Sequence, residues 1–117
     1  MREILFYQTD SGDKPVEEFL ARLAPPPRAK IVRTLEMLRT MPNVPGKFWQ
    51  KMSGSGKLWE VRTEYGGNIY RILAITAKGN RVVLLHGFQK KSQKTPRQDM
   101  EIAQQRQKRY FERHGYL

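Results

Sequence analysis

The groups able to do chemistry in this chain are mostly cations, and they sit where cations are costly. Arg71 interrupts the run Ile69-Tyr70-Arg71-Ile72-Leu73-Ala74-Ile75, where a guanidinium must be paired or face a wet surface. A hairpin closing on Gly66-Gly67 sets Tyr65 against Asn68 and, counting back, Arg62 against Arg71. Like charges directly across a ladder repel. Either an anion lies between the two arginines, or Glu60 or Glu64 neutralises one of them. A second group, Lys90, Lys91 and Lys94, crowds the segment Phe88-Gln89-Lys90-Lys91-Ser92-Gln93-Lys94-Thr95-Pro96. This segment leaves a strand expected beside the arginine strand and leads into a helix start, where backbone N–H groups add donors for phosphate. Guanidiniums and ammoniums gathered at one end of a sheet are suited to grip a phosphodiester.

Other chemistries find less support. His86 lies among apolar strand residues and reads either as a satisfied core histidine or as a proton-transfer group; His114 belongs to the chain's end. Lys51, Lys57 and Arg97 extend the basic surface available to a nucleic acid. Ser53-Gly54-Ser55-Gly56-Lys57 lacks the glycine-to-lysine spacing and the following helix of a phosphate-binding loop. The chain has no cysteine and two histidines, so disulfides are excluded and no metal site is expected. No cofactor motif, catalytic triad or pair of catalytic carboxylates is legible. Trp49 and Trp59 are expected to pack in the sheet, or to stack on a base where exposed.

The elements that must position these groups follow from periodicity and punctuation. Arg2 to Gln8 reads as an apolar strand, and Thr9-Asp10-Ser11-Gly12-Asp13 as a turn. Pro15 opens a helix carrying Val16, Phe19, Leu20 and Leu23 on one face. Pro25-Pro26-Pro27 breaks it and launches a second helix, striped by Ile31, Leu35 and Leu38, that ends before Pro42. Period-2 segments follow: Phe48 to Met52, Leu58 to Glu64, Ile69 to Thr76 and Arg81 to Phe88, the last three linked by the turns Gly66-Gly67-Asn68 and Lys78-Gly79-Asn80. Thr95 is expected to cap a terminal helix, with Pro96 first inside it, Gln98 closing a capping box, and Met100, Ala103, Gln107 and Tyr110 on one stripe. The expected class is α+β: an N-terminal strand, a helical hairpin, an antiparallel β-meander sheet and a C-terminal helix, in one domain over residues 1–117.

Charge narrows the partner. Lys and Arg number 22 against 11 acids, a net charge of +11, but residues 1–20 carry −3 and residues 21–117 carry +14. Such self-repulsion implies a polyanionic partner, nucleic acid before an acidic protein segment and either before a membrane. No apolar run approaches the roughly 20 residues that span a bilayer, and the first residues read as a strand rather than a signal-peptide core. A cytoplasmic setting is expected.

On specific residues the sequence resembles a known family. Leu58-Trp59-Glu60-Val61-Arg62, Tyr70-Arg71-Ile72-Leu73, and above all Leu84-Leu85-His86-Gly87-Phe88-Gln89-Lys90-Lys91-Ser92-Gln93-Lys94-Thr95-Pro96, with Glu101, Ala103 and Arg106 following, are similar to the phage-derived Gp49-like/HigB branch of the RelE/ParE toxin superfamily. The resemblance implies a RelE-like fold and the toxin of a type II toxin–antitoxin module. It also implies a metal-independent, ribosome-dependent endoribonuclease that cuts messenger RNA, restrained by an antitoxin with a helix-turn-helix DNA-binding domain. By the same resemblance Arg71 takes the place of the family's central strand arginine, and Lys90-Lys91 that of its basic pair after the last strand. Guanidiniums stay protonated, so Arg71 and Arg62 suit phosphate binding and charge stabilisation, and Lys90, Lys91 or Lys94 suits an acid, a base or a phosphate clamp. Where RelE carries two strand lysines, this chain has Leu58 and Glu60, leaving His86, Lys57 and Glu60 as proton-transfer candidates. A gyrase inhibitor of the ParE type and a non-catalytic nucleic-acid-binding protein are the alternative readings.

Overall fold

A computed structural model describes residues 1–54, 56–90 and 95–115. The element order is β1 (Glu3–Phe6), α1 (Pro15–Ala21), α2 (Pro25–Thr40), β2 (Trp49–Lys51), β3 (Trp59–Tyr65), β4 (Asn68–Ala77), β5 (Arg81–Lys90) and α3 (Arg97–His114). Each break expected from proline or glycine is present: Pro15 and Pro25 start α1 and α2, and Gly66-Gly67 and Gly79-Asn80 turn the chain with positive φ.

The five strands form one sheet in the order β1-β5-β4-β3-β2. Strands β2 to β5 are the expected antiparallel meander, but β1 lies parallel to β5, with Glu3 opposite Arg81 and Phe6 opposite Leu84. The sheet is therefore mixed rather than antiparallel. The chain between β1 and β2 is a two-helix crossover, which covers one face and releases β1 onto the far edge of the meander.

Each face buries its own core. Val16, Phe19 and Leu20 of α1 and Ile31, Leu35 and Leu38 of α2 pack on Trp49, Val61, Tyr70, Ile72, Ala74, Val82 and Leu84. On the other face Ala103, Tyr110 and Phe111 of α3 close over Tyr7, Leu58, Leu73, Ile75, Val83, Leu85 and Phe88. Residues two apart on a strand share a face, so Glu60 and Arg62 of β3 and Arg71 of β4 lie on the α3 side.

One irregularity decides what β5 presents. Leu73 faces His86 and Ala74 faces Leu84, so Leu85 is an extra residue, a β-bulge. Unbroken alternation would keep His86 and Phe88 on the side of Val82 and Leu84. The bulge turns both to the α3 side and puts Gly87 under α1. There a Cβ on Gly87 would lie 2.5 Å from Phe19 Cδ2, so the close seating of α1 requires glycine.

Candidate functional site

The guanidinium of Arg71 points along the α3 face of the sheet, and its residue is only 2% exposed. The expected pairing of Arg62 with Arg71 across the ladder is present, with Tyr65 opposite Asn68 at the hairpin end. Of the two ways to relieve their repulsion, the carboxylate is the one observed. Arg71 Nη1 donates to Glu60 Oε2 at 3.0 Å, and Glu60 is 7% exposed. Arg71 Nη1 also lies 3.3 Å from Thr95 Oγ1. This contact replaces the cap expected of Thr95: Pro96 is the N-cap of α3 and no side chain caps the helix. A buried guanidinium attracts the hydroxyl more strongly than a helix start that water can serve.

Glu60, Arg62, Arg71 and Thr95, with Gln50, Met52 and Ser53, line an open polar cavity of about 290 Å³. The Nε of Arg62 is buried there with no hydrogen-bond partner among the described residues. Gln50 stands directly opposite Glu60 on β2. That strand is only three residues long, but Trp49 and Trp59 stack at 4.6 Å on the opposite face and clamp it to β3. Met52 N–H donates to Leu58 O at 2.9 Å, fixing the start of the following turn.

A second constellation holds His86. Its Nε2 is 2.6 Å from Asp99 Oδ1, and Arg106 Nη1 lies 3.4 Å from its Nδ1 while donating to Leu85 O at 2.8 Å. Arginine only donates, so Nδ1 accepts in that contact and Nε2 is left to donate to Asp99. Both ring nitrogens are engaged, leaving His86 as the tie between β5 and α3. Burial pushes the Arg106 guanidinium below its usual range, opposed by attraction from Tyr7 and Glu18.

The remaining candidates scatter. Lys90 ends β5 opposite Ile69, two residues along from Arg71, exposed and on the α3 face but outside the cavity lining. Lys91 and Lys94 lie outside the described residues. Lys51 pairs with Trp59 in register and so belongs to the α1–α2 side, away from the arginines. Lys57 is exposed in the β2–β3 turn, and Arg97 is exposed and paired with Glu101 at 2.8 Å. Among the described residues no group of three or more His, Cys, Asp or Glu side chains is placed to hold a metal, and no helix is long and apolar enough to cross a membrane.

Sequence reasoning missed Gln50, Asp99 and the contact made by Thr95. The hairpin count that put Arg62 opposite Arg71 puts Leu73 opposite Glu60; Gln50 reaches Glu60 through the separate pairing of β2 with β3, which that count does not fix. Asp99 had no signal, because only the bulge brings His86 within its reach.

A mixed five-stranded sheet with two helices on one face and one on the other, carrying a carboxylate–guanidinium cavity at its end, defines the chain as an α+β protein with a candidate anion site. Residues 18–108 match the model of the phage-derived Gp49-like proteins (DUF891), and the chain belongs to that family. No curated protein matches it.

Proposed function

We propose that this chain is the toxin of a type II toxin–antitoxin module, a RelE-like fold of the RelE/ParE superfamily and its HigB branch, formed as one domain over residues 1–117. It cleaves messenger RNA on the ribosome without a metal, in the cytoplasm, and is restrained by an antitoxin bearing a helix-turn-helix domain. Membership of the Gp49-like family supports a toxin-like role. The observation that carries the chemistry is the meeting of Glu60, Arg62, Arg71 and Thr95 in one cavity.

The roles follow from what each group can do. Arg71 holds the Glu60 carboxylate, which takes the proton of a 2′-hydroxyl. The 2′-oxygen attacks the adjacent phosphorus while the bond to the 5′-oxygen breaks, giving a 2′,3′-cyclic phosphate and a free 5′-hydroxyl. Arg62, whose Nε has no bond to give up among the described residues, faces the extra negative charge as it develops. The departing 5′-oxygen takes a proton from an ammonium of the Lys90, Lys91 and Lys94 group. Arg71 thus serves as the residue that positions the base rather than as the first hand on the phosphate.

Primer extension on cellular transcripts after brief expression tests this. The wild type is expected to give new 5′ ends within coding sequence, and Glu60→Gln to lower their yield by about 10²-fold or more, the scale of a lost general base. Intact transcripts beside damaged DNA would point to a gyrase target. Intact transcripts and healthy cells would remove the toxin reading altogether.

A further inference from the structure

The cavity has a wall that the chemistry leaves unused. Its arginine end accounts for a phosphate, yet Gln50 and Met52 line it as well. Gln50 is exposed, stands across the ladder from Glu60, and shares its face. A primary amide at that place is neither acid nor base. It offers one acceptor and two donors in a plane, which is the equipment for recognising the edge of a base. Met52 is half-buried beside it, and a thioether is a soft, polarizable surface for an aromatic ring. The strand that bears Gln50 is held by the Trp49–Trp59 stack and by the Met52 to Leu58 hydrogen bond, so the amide is presented from a fixed position, as specificity requires.

We infer that Gln50, with Met52 as its floor, is a specificity-determining residue that reads the base of the nucleotide whose phosphate lies against Arg62. The ligand is single-stranded RNA, whose unstacked bases expose their hydrogen-bonding edges. Adenine is favoured, because its N6 and N7 give a glutamine amide two hydrogen bonds at once. This inference rests on the proposed RNA-directed reading of the same cavity, but it concerns selection rather than cleavage.

The test measures binding apart from cutting. Four 2′-fluoro oligonucleotides, identical except for one central base, lack the attacking hydroxyl and report affinity by fluorescence anisotropy. Wild type is expected to rank the four with adenine first by about tenfold, the scale of one bidentate base contact. Gln50→Ala should collapse the ranking to within about threefold. Gln50→Glu, an acceptor only, should move the preference toward cytosine, whose N4 amino group donates. Arg62→Ala should weaken all four by the same factor and leave their order intact. An unranked wild type, a ranking that survives Gln50→Ala, or no binding to any oligonucleotide overturns the inference. A ranking that depends on Gln50 in a protein that leaves transcripts uncut keeps the inference and overturns the nuclease reading.

Discussion

Arg71 and Glu60 meet beneath the α3 face with 3.0 Å between Nη1 and Oε2, side chains 3% and 9% exposed. A charge pair so placed is costly to break from one side, because the survivor stays buried without a counterion. Arg71→Ala and Glu60→Ala are each expected to lose about 3 kcal/mol of stability. The double variant Glu60→Leu/Arg71→Met should recover most of that loss. Urea denaturation of the four proteins decides it; additive losses would mean that the pair is not coupled.

The tie between β5 and α3 makes a second prediction. His86 and Asp99 are 2.6 Å apart, so His86→Ala and Asp99→Ala should be non-additive, with a coupling of about 1 kcal/mol in a double-mutant cycle. Amide exchange should speed up in the first turns of α3 in both single variants. Full additivity would show that the contact holds nothing.

Gly87 tests the packing of α1. Its missing Cβ would stand 2.5 Å from Phe19 Cδ2, with Phe19 Cγ and Cε2 at 2.9 Å. Gly87→Ala should cost about 1–3 kcal/mol by overpacking, and Phe19→Leu in the same chain should restore part of it. If thermal unfolding of Gly87→Ala matches wild type, α1 sits less closely than described.

Glu36 supplies a pH dependence on the surface of α2. A hydrogen bond from Arg39 holds its carboxyl below the usual 4.5; slight burial opposes this and the Arg39 charge assists it. A depressed folded value means stability that is present above about 4.5 and fades as pH falls through the lower folded value. Wild type should therefore exceed Glu36→Gln slightly at pH 7, with the gap closing in acid and shrinking in high salt. Urea midpoints of the two proteins across the acid range check it; a gap that widens in acid would reverse the assignment.

Much of this was legible before any coordinates. Prolines and double glycines are local signals, so the starts of α1 and α2, the β3–β4 turn, and with it the facing of Arg62 and Arg71, could be counted from the sequence. Glu60 was already one of two anions able to relieve that pair. What escaped depended on registry between distant segments. Alternation from Val82 keeps His86 and Phe88 with Leu84, and only the bulge at Leu85 separates them. The parallel pairing of β1 was likewise hidden, because nothing in Arg2 to Gln8 states which edge it joins. Thr95 has the residue type of an N-cap, and a buried guanidinium reached through the fold took its hydroxyl instead.

The parallel seat of β1 bears on how the chain is made. Glu3 and Arg81 are register partners, so β1 has no strand neighbour until nearly eighty further residues have been made. Contacts that distant along the chain are slow to form. The strand that receives β1 also carries His86 and Lys90. Nascent β1 is thus expected to wait unpaired until β5 has emerged, and its edge of the sheet to close only then.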